Sequence, residues 1–253
     1  MNSLENPVAE LKRIIEAAGG CSICLRGMGG IAFEILCNTS QYPVFTREYK
    51  DFDLATRKKD TQKLGAFFQS VGYLPDAEFN LLNGDFRQIY FDPERGRHID
   101  IFIEQFNMCH KIPFGSRLDR TFYTLSPADL FLTKAQIVQI NRKDITDIVR
   151  LLITHLPAES IENCIDLSTI TQSTAQDWGL FTTVNLSLDK VEQYAANSLG
   201  EILSKDHLHL LLSNIQKIRS AMYDTPKSQS WKLRSKFGTK LKWYQDVEEV
   251  ELT

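Results

Sequence analysis

Two kinds of hydrophobic spacing divide the chain. Segments 8–18 and 60–72 carry apolar residues three and four positions apart, which is typical of helices with one buried face. Segments 51–55, 86–91 and 98–103 are short apolar or alternating runs, which are typical of strands. In the second half of the chain only helix-type spacing remains. The pattern predicts an α+β fold in which a mixed sheet with helices is followed by an all-helical region.

A change of spacing near residue 125 predicts a domain boundary. Ser126 and Pro127 resemble a helix N-cap followed by proline at the first helical position. The strands before this point are too few for a doubly wound sheet. We therefore expect a mixed α/β domain over residues 1–125 and a helical domain over residues 126–253.

Acidic residues interrupt two of the predicted strands. Asp51 and Asp53 point to one face of their strand because side chains alternate along it. In the segment 98–103 the isoleucines share one face and leave His98 and Asp100 on the other. If these strands are neighbours, three carboxylates meet, which is costly unless a cation neutralises them. Carboxylate oxygens suit Mg²⁺ (or Mn²⁺), which keeps waters and substrate phosphates as its other ligands.

A pair of glycines precedes these acids. Gly29 and Gly30 follow a predicted short strand over residues 21–25 and precede a helix predicted from Ile31. Glycine lets a phosphate approach the backbone closely, and a helix N-terminus favours anions. Acids for a metal and glycines for a phosphate together indicate nucleotidyl transfer.

The order of these motifs resembles the DNA polymerase beta-type nucleotidyltransferase superfamily over roughly the first 155 residues. The resemblance rests on Leu25-Arg26-Gly27-Met28-Gly29-Gly30, on Asp51-Phe52-Asp53 and on Asp100. The stretch 125–134, LSPADLFLTK, is similar to the AbiEii-like branch, which includes toxin components of toxin–antitoxin and phage-defence systems. One departure is the gap from Gly30 to Asp51, 51 − 30 = 21 positions, which is longer than is usual in the superfamily.

The resemblance implies an enzyme that moves a nucleoside monophosphate from a nucleoside triphosphate to an acceptor. The acceptor would be an RNA end, a protein or a small molecule, and a toxin-type enzyme would have an antitoxin-like partner. The implied catalytic and metal-binding residues are Asp51, Asp53 and Asp100, and the implied nucleotide-binding residues are Arg26, Gly29, Gly30 and Lys134.

A basic and aromatic segment near the C-terminus is a candidate acceptor contact. Lys232, Arg234 and Lys236 lie between Trp231 and Trp243. Cations of this kind neutralise phosphates, and aromatic rings stack on unpaired bases, so RNA is one candidate. An amphipathic helix that docks its tryptophans on the protein is the alternative.

Two other functions fit part of the pattern. The segment 27–32, GMGGIA, also resembles the dinucleotide fingerprint, with Asp51 or Asp53 as the ribose ligand. That function leaves the doubled acid and Asp100 unexplained. A non-catalytic nucleotide-binding or partner-binding module of the same fold is the other alternative, and it requires misaligned acids.

Composition and charge bear on the partners and the location of the protein. The net charge of −3 gives no global attraction to nucleic acid or to an anionic membrane, so nucleic-acid binding would need a local basic patch. Residues 1–7 lack the features of a signal peptide, and no apolar run is long enough to span a bilayer. Five scattered cysteines are consistent with reduced thiols. We expect a cytoplasmic protein with no membrane partner.

Overall fold

The computed structural model describes residues 3–159 and 164–246. The chain divides into two compact units. Unit 1 comprises Met1–Phe106 and Pro113–Ser126, and unit 2 comprises Asn107–Ile112 and Pro127–Thr253. Among the residues described, no helix has both the length and the apolar character needed to cross a membrane.

Unit 1 is built on a five-stranded mixed sheet. Its order is β1-β2-β5-β4-β3, and only the β2–β5 pair is parallel within this sheet. The first seven strands of the chain are β1 Leu25–Met28, β2 Asp51–Thr56, β3 Leu74–Pro75, β4 Arg87–Phe91, β5 His98–Ile103, β6 Gln105–Asn107 and β7 Lys111–Pro113. The first four helices are α1 Pro7–Gly20, α2 Gly29–Leu36, α3 Thr61–Ser70 and α4 Ala77–Asn83.

The hydrophobic core of unit 1 lies on one face of this sheet. The Asn6 side chain caps α1 by accepting a hydrogen bond from the Ala9 amide, 2.9 Å away, and Pro7 occupies the first helical position. Apolar residues of α1 and α3 pack against the inward side chains of β1, β2, β4 and β5. The central buried residues are Leu11, Ile14, Ile15, Leu64, Phe67, Phe68, Leu25, Phe52, Leu54, Tyr90, Ile99 and Ile101. The opposite face carries polar side chains of the sheet together with buried apolar residues such as Met28 and Ile89.

Unit 2 is mostly helical in its described part, which also contains residues of β6 and β7 and two further strands of two residues each. Buried aliphatic residues on α5, α6, α8 and α9 contribute to its interior, and the Asn214 side chain donates to the Leu152 carbonyl at 2.7 Å. The helices are α5 Pro127–Ala135, α6 Arg142–Thr154, α7 Leu167–Gln176, α8 Trp178–Tyr194, α9 Lys205–Asp224 and α10 Gln229–Ser235, and the strands are β8 Pro157–Ala158 and β9 Ile165–Asp166. The prediction of a mixed sheet with helices followed by a helical region is confirmed.

Some elements differ from their sequence prediction. The first strand is Leu25–Met28 rather than 21–25, because residues 21–23 form the turn that follows α1: Cys21 and Ile23 both donate their amides to the Ala18 carbonyl. Ser22 in this turn has a left-handed φ of 54°. Since β1 ends at Met28, α2 begins directly at Gly29 rather than at Ile31. The sequence pattern did not predict β3 or α4. The division into domains between residues 125 and 126 stays a prediction.

Glu10 is a buried carboxylate under the sheet of unit 1. It accepts hydrogen bonds from the Tyr73 hydroxyl at 2.9 Å and the Leu4 amide at 2.9 Å, and it pairs with Arg13 at 2.7 Å. Burial pushes the pKa of Glu10 up, but the bonds from Arg13, Leu4 and Tyr73 outweigh it and hold this pKa below its ordinary value of 4.5. Its ionised form therefore stabilises the fold.

We predict that Glu10→Gln lowers the free energy of unfolding of unit 1 by about 2 kcal/mol at pH 7. The deficit is complete above pH 4.5, where the unfolded state is also ionised, and it shrinks as the pH falls through the lowered folded pKa. Urea unfolding followed by circular dichroism at pH 7 and pH 3 measures both effects. Glu16→Gln, on the exposed side of α1, is the control, and its free energy of unfolding stays within about 0.5 kcal/mol of that of the unmodified chain. An equal deficit at both pH values contradicts the prediction.

Candidate functional site

The strand register brings the predicted acids to one face of the sheet. Asp53 of β2 lies directly opposite Asp100 of the parallel strand β5, and Asp51 lies opposite His98. Residues opposite each other on neighbouring strands project on the same side. Asp53 and Asp100 are half-buried, and Asp51 is exposed. The three carboxylates thus share the face that the hydrophobic core leaves open.

Gly29 and Asp53 are in direct contact. Gly29 begins α2 with a left-handed φ of 62°, which L-residues rarely adopt. A Cβ at this position would overlap the Oδ2 atom of Asp53. The Met28 side chain, which precedes the helix, makes no capping hydrogen bond. Glycine is therefore required here both by the backbone and by the carboxylate that packs on it.

Gly30 is in contact with a cation. A Cβ at Gly30 would overlap the Nη2 atom of Arg47, which lies in the loop before β2. The Arg47 guanidinium stacks over the Tyr49 ring at 5.2 Å, and the Tyr49 hydroxyl donates to Glu34 at 2.9 Å. The two glycines thus face opposite charges, with Asp53 against the first and Arg47 against the second.

A second arginine, Arg87 of β4, binds Asp100. Its Nε donates to Oδ1 of Asp100 at 2.7 Å, and its Nη2 pairs with Oδ2. This two-point pairing raises the pKa of Arg87, and the charges of Asp100 and Asp53 add to the effect. The guanidinium also lies over the rings of Phe79, at 5.7 Å, and Phe102, at 5.2 Å. Both carboxylate oxygens of Asp100 are therefore engaged by protein.

The acids do not fit a divalent ion in this arrangement. Carboxylate oxygens are suitable donors for Mg²⁺. Within residues 3–159 and 164–246, however, no group of three or more histidine, cysteine, aspartate or glutamate side chains is arranged to hold a metal ion. The pairing of Asp100 with Arg87 gives a physical reason, because it turns both oxygens of the third acid toward a guanidinium. The structure brings the acids to one face without assembling them around one point.

Arg26 belongs to the same face by register, because it lies opposite Ala55. Its guanidinium donates to the Leu25 carbonyl at 2.7 Å and lies over the Phe122 ring at 5.8 Å. Its Nε is buried and has no hydrogen-bond partner among the described residues. The proposed contact of Arg26 with nucleotide stays a prediction.

Lys134 is part of an ion cluster inside unit 2. Its Nζ donates to Asp144 at 2.6 Å and lies 3.4 Å from Asp147, and the side chains of both aspartates are buried or nearly so. Such a cluster joins α5 to α6, and removal of one partner would leave a buried charge uncompensated. The structure therefore shows a stabilising contact for Lys134, and its contact with a triphosphate stays a prediction.

The C-terminal basic and aromatic segment divides into two groups. Arg234 donates to the carbonyls of Gly238 at 2.9 Å and Leu241 at 2.7 Å, and it stacks over Trp178 at 4.7 Å. By contrast, Lys232 and Lys236 are exposed. The tryptophans dock on unit 2 as the alternative interpretation expects: Trp231 packs edge-on against Phe181, and Trp243 donates to Thr183 at 3.0 Å.

Arg47 and Arg87 are the site residues that the sequence interpretation missed. Arg87 is the polar start of a strand-like run, and alternation alone indicates which face it occupies once its strand is placed beside β5. Arg47 lies in a charged loop, REYK, immediately before the acids. A search for cations close to the acidic strands would have selected both residues.

No protein-family model and no curated protein sequence matches the chain. Among solved structures the chain is similar to an antigenic nucleotidyltransferase-like protein from Paracoccidioides brasiliensis, at 14% identity and TM-score 0.44 over 90% of this chain and 97% of that chain. It is similar to ANT(2'')-Ia in complex with adenylyl-2''-tobramycin, at 15% identity and TM-score 0.41 over 66% of this chain and 98% of that chain. JHP933 from Helicobacter pylori matches at 14% identity and TM-score 0.37, over 92% of this chain and 99% of that chain. Sequence identities and TM-scores this low do not show that this chain has the activity of any of those proteins.

The contact between Gly29 and Asp53 predicts an unequal pair of alanine substitutions. Gly29 and Gly96 have nearly the same φ, 62° and 63°, but nothing lies within 4 Å of a Cβ at Gly96. Gly96→Ala therefore lowers the free energy of unfolding only by the cost of backbone strain, about 1 kcal/mol. Gly29→Ala also displaces Asp53, so it lowers the free energy of unfolding by about 2 kcal/mol more. Urea unfolding of the two variants measures the difference. Equal losses would show that Asp53 does not pack against Gly29.

Proposed function

We propose that the chain is a nucleotidyltransferase of the DNA polymerase beta-type superfamily. It would transfer a nucleoside monophosphate from a nucleoside triphosphate to an acceptor hydroxyl and release pyrophosphate. The observation that carries this proposal is the register of Asp53 against Asp100, together with the contact of Asp53 with Gly29. A phosphate-binding turn and two carboxylates from neighbouring strands are thereby within reach of one substrate.

The residues around the glycines are suited to a triphosphate. Gly29 and Gly30 have no side chains of their own, although Asp53 and Arg47 lie against them, and the first amides of α2 favour an anion. Arg47, in contact with Gly30, would add a cation beside the phosphates. In the reaction the acceptor oxygen would bond to the α-phosphorus, and the bond to the bridging α–β oxygen would break. Asp100 is the proposed acceptor of the hydroxyl proton.

Dependence on Mg²⁺ or Mn²⁺ is part of the proposal, with Asp51, Asp53 and Asp100 as the ligands. When bound, such an ion supplies charge neutralisation for the triphosphate. The observed pairing of Asp100 with Arg87 does not accommodate the ion, and we assign no step of the reaction to it.

Membership of the AbiEii-like branch, toxin-type activity and an antitoxin-like partner rest on sequence resemblance and belong to the proposal. A cytoplasmic location, which is expected from the sequence features, belongs to it as well. The same holds for the identity of the acceptor, for which RNA is one candidate.

One observation favours a second function, a non-catalytic nucleotide-binding or partner-binding module. The two-point pairing of Arg87 with Asp100 removes the third acid from the surface that a metal would use.

A dinucleotide-binding function, by contrast, requires a parallel βαβ unit around the glycine turn. Here β1 and β2, on either side of α2, are antiparallel. The topology argues against that function.

We predict that Asp53→Asn abolishes nucleotidyl transfer. The amide keeps the shape that packs against Gly29 but loses the negative charge. We therefore expect the rate of transfer to fall roughly a thousandfold or more, which exceeds the 10–100-fold loss typical of substitutions that act only through a neighbouring site residue. The assay is incubation with each labelled nucleoside triphosphate, Mg²⁺ and total RNA or protein, followed by detection of transferred label. The metal-free melting temperature holds or rises because repulsion with Asp100 is relieved.

Asp85→Asn is the matched control for this substitution, because Asp85 is an exposed aspartate of unit 1 whose partner is Lys58. Its activity stays at the level of the unmodified chain. Full activity in Asp53→Asn would favour a site elsewhere, and absence of transfer in the unmodified chain with every nucleotide would favour the non-catalytic module.

We predict that the exposed lysines of the C-terminal segment contribute to RNA binding. If RNA is the acceptor, replacing Lys232 and Lys236 with alanine lowers the log–log salt slope of RNA affinity by about 1.4, which is ~0.7 for each lost contact to a single strand. The control is the double change Lys205→Ala with Lys217→Ala, two exposed lysines of α9. Arg234 is left unchanged because it holds the segment in place. Equal slopes in both double variants would exclude this surface as the acceptor site.

A further inference from the structure

We propose that a cavity in unit 2 is a binding site for a nucleoside phosphate, supplied as a free nucleotide or as the end of a single strand of RNA. The cavity has a volume of about 380 Å³, which lies within the range of about 300–1,000 Å³ typical of small-ligand sites. All of its lining residues belong to unit 2, so the site is additional to the carboxylate face of the proposed function. The lining side chains that suit this ligand are His110, Lys111, Asp177, Lys242, Trp243 and Tyr244.

Backbone contacts hold the sides of this cavity together. The Gln245 amide donates to the Cys109 carbonyl at 3.0 Å, which joins the C-terminal segment to the turn between β6 and β7. A Cβ at Gly179, in the first turn of α8, would lie 2.5 Å from the Trp243 carbonyl oxygen and 3.1 Å from Cε1 of His110. Because Gly179 has no side chain, both groups approach α8 closely. The cavity is therefore formed by the fold before any ligand binds.

His110 directs a buried N–H group toward Asp177 across a gap. Its side chain is 3% exposed, and its Nε2 lies 2.8 Å from the Thr183 hydroxyl, which also accepts from the Trp243 indole at 3.0 Å. An indole can only donate, and among the described residues Nε2 is the acceptor within hydrogen-bond distance of this hydroxyl. Neutral His110 therefore accepts at Nε2 and carries its proton on Nδ1. Nδ1 lies 3.7 Å from Oδ2 of Asp177, which is longer than a hydrogen bond.

The Nδ1 atom of His110 and the Asp177 carboxylate form a pair suited to the edge of a nucleobase. Oδ1 of Asp177 accepts the Gly179 and Leu180 amides at 2.7 and 3.1 Å, while Oδ2 is the oxygen that faces His110. Nδ1 thus supplies a donor and Oδ2 an acceptor. Nucleobases carry an acceptor and a donor side by side on their Watson–Crick edges, so one base satisfies both atoms. A phosphate ion has no comparable donor for the carboxylate.

Cations and aromatic rings of the cavity suit the rest of the ligand. Lys111 is exposed, and its ammonium group forms no ion pair within residues 3–159 and 164–246, so it is available to a phosphate. Lys242 is exposed and pairs with Asp246, an exposed partner that a phosphate can replace. Trp243 and Tyr244 are half-buried and supply ring surface on which a base stacks. Base edge, ring faces and phosphate each have a complement in one cavity.

Calorimetric titration of the full chain in a buffer with EDTA tests the site. The probes are the common ribonucleoside monophosphates and inorganic phosphate. We expect at least one of these nucleotides to bind about tenfold or more tightly than inorganic phosphate, because the base adds contacts of its own. Replacing Lys111 and Lys242 together with alanine weakens the Kd of that nucleotide about tenfold. In the control, Lys205→Ala with Lys217→Ala, it stays within about twofold. Equal Kd values in the two double variants would overturn the proposal.

Asp177→Asn separates a nucleotide site from a general anion site. Asparagine also caps helices, so α8 keeps its N-cap, but the anionic acceptor for the base is lost. We expect the nucleotide Kd to weaken about fivefold and the phosphate Kd to hold or tighten, because a like charge is removed. Tightening with both probes would overturn the proposal.

Arg47→Gln, at the glycine turn of unit 1, is a further control that leaves the nucleotide Kd within about twofold. A loss of affinity in this variant together with unchanged affinity in the cavity variants would assign the nucleotide to unit 1 and overturn the proposal.

A short single-stranded RNA distinguishes the two sources of the ligand. If a strand end is the source, the RNA displaces the bound nucleotide, and its own affinity falls in the double variant of Lys111 and Lys242. If a free nucleotide is the source, the RNA does not displace it. Both results are independent of the transfer assay. Binding in the cavity without transfer of label supports the site and counts against the enzymatic proposal, whereas transfer without binding in the cavity overturns the site alone.

Discussion

The parallel pairing of β2 with β5 is the constraint on which the candidate site depends. It sets Asp53 opposite Asp100, and a slip of one residue would turn one of the two acids into the hydrophobic core. Phe52 and Ile99, which are fully buried on the other face, prevent such a slip because they would have to enter water. The acids are thus held in position by the packing of α1 and α3 beneath them. Stability of the core and geometry of the site are consequences of one register.

The same register creates an electrostatic demand that the chain meets with arginine. Three carboxylates on one face repel one another, and the guanidinium groups of Arg87 and Arg47 lie in contact with this face or with the turn beside it. Arg87 satisfies Asp100 directly, while Arg47 lies against Gly30. A guanidinium is suited to this task because it donates in a plane, stacks on aromatic rings and keeps its charge when half-buried. The acidic face is therefore stable before any ligand binds.

The hydrophobic pattern was sufficient to predict the elements that carry the acids. Alternation in residues 51–55 and 98–103 indicated both the strands and the face of each acid, because alternation is a local property. The glycine segment is predicted less well: β1 begins at Leu25 and extends through Met28, since residues 21–23 form the turn after α1 by hydrogen bonds to Ala18. Arg47 and Arg87 were missed because their roles follow from contacts between distant elements. No local pattern specifies which strand will lie beside β5.

Composition is an even weaker guide to which residues can bind a ligand when neighbouring residues have different partners. In the C-terminal segment, Arg234 and Lys232 contribute equally to a basic cluster when only the sequence is counted. In the structure Arg234 binds backbone carbonyls and stacks on Trp178, whereas Lys232 is exposed. An arginine whose donors are already used inside the protein has few left for a phosphate, and its removal would disturb the fold before it disturbed binding. The part of a basic segment that can recognise an acceptor is therefore defined by the cations that the fold does not use.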